Sequence, residues 1–345
     1  MKLYDTLSGQ VKEFTQRDNE VKLYVCGITP YASAHVGHAM SYIIFDVLRR
    51  YLEHLGYQVK HVQNFTDIDD KIIARARQDG ISTQELADRY IDEYFREMDS
   101  LNVQRAHVYA NATNEVTHMV DMIKVIIEKE YAYVAGNDVY FRVTKNPNYG
   151  KLSHRSLDHM ISGARVKVSK DKEHPMDFAL WKGAKKGEPN WKSPWSKGRP
   201  GWHIECSAIS LKYLGDDIDI HGGGQDLIFP HHENELAQSE IHTGQSPFAR
   251  FWLHNGLLQM SEEKMSKSVG NVVTVKEASN KYGPDALRLF VLGSHYRRPL
   301  MYSDDALEAA RRASNRLTNA LHPHSAKHSD ELDPTVHSQR FFQFM

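Results

Sequence analysis

Four residues able to hold a soft divalent metal are scattered along the chain: Cys26, Cys206, His231 and Glu235. Two thiolates, an imidazole and a carboxylate form a donor set that suits zinc. His231 and Glu235 stand four positions apart and project from one helical face, whereas Cys26 comes from the far half of the chain. The only cysteines are Cys26 and Cys206, so there is no close C-x-x-C pair of the kind that builds small zinc knuckles. A metal held by all four residues would therefore lie between two halves of a larger domain, where a substrate can reach it. Inert core thiols beside a surface His–Glu pair are the plainer reading of the same residues.

Two further patterns suit phosphate chemistry. His35-Val36-Gly37-His38 follows an apolar run, and Lys264-Met265-Ser266-Lys267-Ser268 lies far downstream in a polar stretch. A helix beginning near His35 turns its first backbone N–H groups and its positive dipole end towards an anion. Gly37 permits close backbone approach, His35 and His38 can donate to phosphate oxygens, and Lys264 and Lys267 supply complementary charge. Ser261, Ser266, Ser268 and Gly270 suggest a loop that closes over a triphosphate. Such groups would stabilise charge developing at an α-phosphorus under attack by a carboxylate, a nucleophile already ionised and in no need of a base. Gly222-Gly223-Gly224 followed by Asp226 offers the same close approach with an acceptor for sugar hydroxyls. Each pattern alone often arises by chance; their joint presence is what carries weight.

The elements that must position these residues follow from periodicity. Val21 to Val25 is an apolar run ending in Gly-Ile-Thr-Pro, a buried strand entering a turn. Ile43, Ile44, Val47, Leu48, Tyr51, Leu52 and Leu55 recur at helical spacing, with Gly56 as the C-terminal stop. Lys60 to Phe65 reads as a second strand, completing a βαβ unit and implying a parallel sheet. A helical stretch from about Asn111 and a hairpin around Tyr133 to Phe141 lead into a segment rich in lysine, glycine, proline and tryptophan that ends near Pro200. Strands are expected at Ile218–Ile220 and Phe251–Asn255, and a helix from the N-cap Ser303 through Leu307, Ala310, Ala313, Leu317 and Leu321. The expected fold is an α/β, Rossmann-like parallel sheet split by an inserted connective domain and followed by a helical segment.

Composition sets limits. The 345 residues are 41% hydrophobic and 25% charged, ordinary for a globular protein, with a formal net charge of -1. A nucleic-acid partner must then be held by a local basic patch. Two cysteines give no disulfide framework, no leader pattern opens the chain and no apolar run approaches a membrane span. A reduced, cytoplasmic protein with no membrane partner is expected.

With Tyr24-Val25-Cys26-Gly27-Ile28-Thr29-Pro30-Tyr31, Asn64-Phe65-Thr66-Asp67-Ile68-Asp69-Asp70-Lys71, Gly201-Trp202-His203-Ile204-Glu205-Cys206-Ser207 and His221-Gly222-Gly223-Gly224, the chain closely resembles the cysteinyl-tRNA synthetases. That resemblance implies ligation of L-cysteine to cysteine tRNA through an adenylate, with ATP and Mg2+ as substrate and one Zn2+ per chain. It implies Cys26, Cys206, His231 and Glu235 as zinc ligands and His35, His38, Lys264 and Lys267 as catalytic residues. Thr29, His35, Gly37, His38, Gly224, Asp226 and Lys267 would bind ATP, and Gly27, Thr29, Ser41, Asn64, Thr66 and Trp202 would bind cysteine. Ser41 stands where the family usually has threonine, which keeps the hydroxyl. Residues 1–110 and 201–260 would form the two halves of the catalytic domain around a connective insertion at 111–200. Residues 261–302 would carry the lysine-serine loop and a stem-contact region, and 303–345 the start of a helical bundle.

Zinc answers a selection problem. Cysteine and serine differ by one atom, and packing alone separates such pairs by only ~10–200-fold. A metal that prefers a soft thiolate does better. Lys182, Lys185, Lys186, Lys192, Lys197 and Arg199 lie among Trp181, Trp191 and Trp195 and suit either an unpaired RNA 3′ end or a solvated loop. Arg297, Arg298, Arg311, Arg312 and Arg316 could meet an acceptor stem or simply solvent. The family continues beyond the apolar cluster Phe341-Phe342-Gln343-Phe344-Met345, which reads as truncation of a longer protein. A mycothiol-type ligase joining cysteine to a small amine is the competing reading. It is disfavoured by His221, Glu235 and the stretch Lys172 to Asp177, and a non-catalytic synthetase-like binder is disfavoured by the intact motifs.

Overall fold

The computed structural model describes residues 1–15, 17–163, 171–260, 263–264, 272–321 and 338. In chain order the elements are β1 (Lys2–Asp5), β2 (Gln10–Glu13), β3 (Glu20–Val25), α1 (Val36–His54), β4 (Gln58–Phe65), α2 (Asp70–Asp79), α3 (Thr83–Ser100), β5 (Val108–Asn111) and α4 (Val116–Glu128). There follow β6 (Ala132–Ala135), β7 (Asp138–Phe141), α5 (Leu157–Gly163), β8 (Phe178–Gly183), β9 (Trp191–Lys192), β10 (Lys197–Pro200), α6 (Trp202–Leu214), β11 (Ile218–Gly224) and α7 (Glu233–Thr243). The last are β12 (Ala249–Asn255), β13 (Leu258–Met260), β14 (Glu263–Lys264), α8 (Val275–Tyr282), α9 (Pro284–Leu292), β15 (Leu300–Tyr302) and α10 (Asp304–Leu321).

A five-stranded parallel sheet in the order β12-β11-β3-β4-β5 forms the centre. Both of its faces are covered, which is why Leu23 and Tyr24, neighbours pointing to opposite sides, are equally buried. The β3-α1-β4 unit runs one way from β3, while β11 and β12 lie on its other side. The strand order thus reverses at β3, and a crevice opens at the carboxyl ends of β3 and β11. Between the two halves, β6-β7-β8-β10-β9 makes a separate antiparallel sheet. Helix α1 stops where expected, with Leu55 as C-cap and Gly56 at φ +88, a value glycine adopts without strain.

The structure departs from the sequence reading at the glycine run. Gly222, Gly223 and Gly224 continue β11, paired with Leu253, His254 and Asn255, and do not form a turn. A Cβ on Gly222 would fall 2.3 Å from the Phe45 ring, so glycine here lets α1 lie close on the sheet. Helices α2 and α3 and strand β5 complete the first half.

Glu97, on α3, is 7% exposed, and neither of its carboxylate oxygens has a hydrogen-bond partner among the described residues. Burial first, then the nearby Glu93, pushes its pKa up to about 7. An unfolded glutamate titrates near ~4.3. Below that value the group is neutral in both states and costs nothing. As the pH rises towards 7 only the unfolded chain gains by ionising, so stability falls, and above that the loss is constant. Glu97→Gln is therefore expected to raise Tm at pH 8 and leave it nearly unchanged at pH 4. An equal shift at both pH values in thermal denaturation would rule out this origin.

Candidate active site

The crevice at β3 and β11 gathers the metal-ligand candidates. Cys26 follows β3 directly, its N–H donating to Gly222 O at 3.1 Å across the switch point. Cys206 comes from α6, which is buried without a break from Ile204 to Ser210. His231 sits in a short wide turn, Ile228–His232, that runs into α7, and Glu235 lies in the first turn of that helix. The Cys26 and Cys206 sulfurs are 3.7 Å apart, Cys206 Sγ is 3.5 Å from His231 Nε2, Cys26 Sγ is 3.5 Å from Glu235 Oε1, and His231 Nε2 is 2.9 Å from Glu235 Oε1.

These lengths can be compared with a zinc tetrahedron. Bonds of about 2.3 Å to sulfur and about 2.0–2.1 Å to nitrogen or oxygen give edges of roughly 3.8 Å for S–S, 3.5 Å for S–N and S–O and 3.4 Å for N–O. The sulfur edges match within about 0.1 Å, and the His231–Glu235 edge is about half an ångström short. The donor set fits the metal. Its ionisations are uneven: Cys206 is drawn towards the thiolate a metal needs, while Cys26 and His231 hold protons that a metal would have to displace. Burial pushes the Cys206 thiol up, but the Cys26 thiol and the His231 imidazole outweigh it and bring the pKa to about 6. Burial lowers His231, and the Glu235 carboxylate with Cys206 overrides that to about 10. Cys26 is pushed well up by burial and by Cys206.

A histidine cluster around this group was not anticipated. Cys26, His221, His232 and Glu235 form a second set with mutually close donor atoms. His232 Nε2 is 3.2 Å and His221 Nε2 3.7 Å from Cys26 Sγ. His232 Nδ1 in turn lies 2.8 Å from His254 Nε2, and His254 Nδ1 2.7 Å from Thr6 Oγ1. Burial pushes both His232 and His254 down, the latter to about 3, so both rings are neutral. The signal was available in His231-His232 and in His254, each flanking a strand or helix end, but no spacing rule links Thr6 to His254.

The His35 to His38 loop is more constrained than its sequence suggested. His35 caps α1 by accepting from His38 N–H at Nδ1 (3.2 Å), and His38 Nδ1 accepts from His35 N–H (3.4 Å), while the rings stack at 3.6 Å. With both Nδ1 atoms acting as acceptors, the proton of each neutral ring resides on Nε2. Val36 N–H is taken by Val273 O. Among the described residues this leaves Gly37 as the first-turn N–H open to an anion, fewer than a bare helix end would supply. The same bond ties the loop to the segment preceding α8, where His35 bridges Thr274 and Val275 N–H donates to Ala34 O. Lys264 ends β14. Lys267, with Ser261, Met265, Ser266, Ser268 and Gly270, lies outside the described residues.

A cavity of about 450 Å³ opens over these groups. Cys26, Gly27, Thr29, Ser41 and Trp202 line it together with His35, Gly37, His38, Gly224 and Asp226. Trp202 stacks on His231 at 4.3 Å. Asn64 and Thr66 are not in the wall; they stand behind it, 1% and 2% exposed. Asn64 Oδ1 accepts from Gly27 N–H (2.9 Å) and Tyr24 Oη (3.1 Å), and its Nδ2 donates to Thr66 Oγ1 (3.3 Å). Thr66 Oγ1 donates to Glu205 Oε2 at 2.8 Å. Gly27 N–H is thus already occupied, and a Cβ on Gly27 would lie 1.6 Å from Asn64 O. Ser41 Oγ donates to Asn255 Oδ1 at 2.8 Å, a cavity-lining partner that no motif flagged.

A split parallel sheet with a histidine pair at its first crossover helix is the catalytic fold of a class I aminoacyl-tRNA synthetase. Methionyl-tRNA synthetase from Mycobacterium tuberculosis, solved with methionyl-adenylate, superposes with a TM-score of 0.68 over 91% of this chain and 75% of that one at 18% identity. Residues 12–312 match the family model of the tRNA synthetases class I (C) catalytic domain. A cysteine–tRNA ligase of Dehalococcoides mccartyi (strain ATCC BAA-2266 / KCTC 15142 / 195) is 58% identical over 100% of this chain and 76% of its own length. That of Aquifex aeolicus (strain VF5) is 54% identical over 93% of this chain and 65% of its own length. The chain belongs to the cysteine–tRNA ligase family. No helix among the described residues is long and apolar enough to cross a membrane.

Replacing Asn64 by alanine removes three buried hydrogen bonds and strands the Gly27 N–H. Asn64→Ala is expected to cost about 2–4 kcal/mol in urea unfolding. A loss under about 0.5 kcal/mol would show that the Gly27 loop is held by other means.

Proposed function

We propose that the chain activates L-cysteine with ATP to cysteinyl-adenylate and pyrophosphate and transfers the cysteinyl group to the 3′ end of cysteine tRNA. The observation that carries this reading is the Cys26, Cys206, His231 and Glu235 group, with edges suited to zinc and with Cys26 also in the wall of the cavity that holds the histidine loop. A zinc held by those four residues would supply a soft Lewis acid that favours a substrate thiolate over a serine hydroxyl. Trp202, stacked on His231, walls the side chain in. Asn64 and Thr66 act from behind, fixing the Gly27 to Thr29 backbone against which the α-amino and carboxylate groups rest.

The remaining steps belong to the phosphate side. The ionised cysteine carboxylate attacks the α-phosphorus, and the Nε2–H groups of His35 and His38 donate to the oxygens on which charge accumulates. Lys264 and Lys267, with Mg2+ carried by the nucleotide, neutralise the departing pyrophosphate. Gly224 and Asp226 stand where ribose hydroxyls can be held. The tie between Ala34–Val36 and Val273–Val275 joins the histidine loop to the start of α8.

One tightly held zinc per chain is expected by elemental analysis after dialysis. No zinc in the wild type, or undiminished zinc in Cys206→Ala, would count decisively against the site. The chain should exchange pyrophosphate into ATP with cysteine and very poorly with serine, and Lys267→Ala should slow adenylate formation by roughly 10²-fold. If that variant changed only the Michaelis constant for ATP, the lysine would be a ground-state binder.

A further inference from the structure

Cys26 and Cys206 are the chain's only cysteines, and their sulfurs lie 3.7 Å apart. The two are not equally placed. Cys26 belongs to the wall of the catalytic cavity, whereas Cys206, 1% exposed, stands behind that wall on α6. Each is carried by a firmly held segment: Cys26 N–H donates to Gly222 O just past the end of β3, and Cys206 lies in the unbroken buried run of α6. A disulfide needs its sulfurs about 2.05 Å apart, so this pair has to close by roughly 1.7 Å. A zinc ion bonded to both, with a sulfur edge of roughly 3.8 Å, is what would hold them apart.

We propose that Cys26 and Cys206 form an oxidative modification site, at which hydrogen peroxide entering the catalytic cavity joins them in a disulfide and releases the metal. The inference rests on the zinc reading above. The Cys26 thiolate attacks one oxygen of the peroxide; the O–O bond breaks, the sulfur becomes a sulfenic acid, and the other oxygen leaves as hydroxide and takes a proton from solvent to become water. The Cys206 thiolate then attacks the Cys26 sulfur, the S–S bond forms, and the sulfenic oxygen leaves as a second hydroxide that is protonated in turn. The two sulfurs together give up two electrons, and the peroxide accepts them. Of the four metal ligands only His231 and Glu235 then remain, too few for a closed tetrahedral site. A solitary thiol would run on towards sulfinic acid, whereas a partner sulfur 3.7 Å away diverts it to a bond that a reductant can undo. Both cysteines are buried, which favours this bond over one between two chains. The consequence suits the proposed substrate: the condition that closes the site is the one that oxidises free cysteine, so ATP is not spent when the thiol is scarce.

The test treats the zinc-loaded wild type with hydrogen peroxide, reads released zinc with a chromogenic chelator, and then unfolds and alkylates the chain for intact-mass measurement. Release of about one zinc per chain is expected, in step with the loss of both alkylation sites. Dithiothreitol should restore both sites, and added zinc should then restore pyrophosphate exchange. The order of events is checked with single variants. Cys206→Ser should accumulate a sulfenic acid at Cys26 that dimedone traps, and Cys26→Ser should take up dimedone at Cys206 roughly 10-fold more slowly or not at all. Should either variant fail to fold, the wild-type alkylation pattern still decides. Zinc retained through the treatment, zinc released with both thiols still open to alkylation, Cys26 found as sulfinic or sulfonic acid beside a free Cys206, or a disulfide-linked pair of chains would each overturn the proposal. A wild type that carries no zinc before treatment would instead strike at the zinc reading, and the alkylation pattern would still show whether the two sulfurs join.

Discussion

Glu235 is fully buried, and a carboxylate removed from water must be matched by positive charge or metal or else surrender its ionisation. Its pKa is nevertheless held well below the usual range, because His231 and His221 outweigh the cost of burial. His231 Nε2 lies 2.9 Å from one oxygen and His221 Nε2 3.1 Å from the other. Those distances require β11, which carries His221, to end beside the turn that carries His231. They also require β3 to bring Cys26 into the same few ångströms. Much of the crevice follows from that demand. Gly222 admits the Phe45 ring of α1, and Gly223, whose Cβ would come 2.9 Å from the His232 ring, admits the cluster itself.

The rest of α7 shows how such a centre is kept rigid. Seven consecutive residues, Glu233 to Ser239, are buried, and most of them are polar. Glu233 accepts from the backbone N–H groups of Gly150 and Ser153, Asn234 pairs with Tyr149, and Gln238 donates to His203 O and Ser207 Oγ. The bonds reach two segments, residues 149–153 and α6, so α7 joins one to the other, although Gln238 Oε1 and Ser239 Oγ have no hydrogen-bond partner among the described residues. A network of this kind is costly when half made and specific when complete.

That same feature explains what could be read from the chain beforehand. Elements with one apolar face were legible: α1 from Ile43, Val47 and Leu52, β3 from Val21 and Val25, and α10 from Leu307 and Ala310. Helix α6 was not, and α7 was marked only by the His231–Glu235 spacing, because a helix buried over most of its surface loses the 3.6-residue contrast on which periodicity relies. The four metal-ligand candidates were found through residue type and a family pattern, and geometry brought them together. His232, His254 and Asn255 were missed because their partners, Cys26, Thr6 and Ser41, are more than 200 positions away in sequence. The strand was expected to stop at Ile220, because glycines that let a helix pack closely on a strand leave the same sequence mark as glycines that end one.

The tie between the His35 loop and the segment entering α8 bears on how the histidine pair is held. Val36 N–H to Val273 O and Val275 N–H to Ala34 O fix the segment leading into α8 to the histidine loop itself. A capping box at Thr274 and Glu277 then anchors that helix from its first turn. The histidine pair is thus clamped on two sides, by the cap it makes on α1 and by the backbone of the segment entering α8, so the fold sets the ring positions before any ligand arrives.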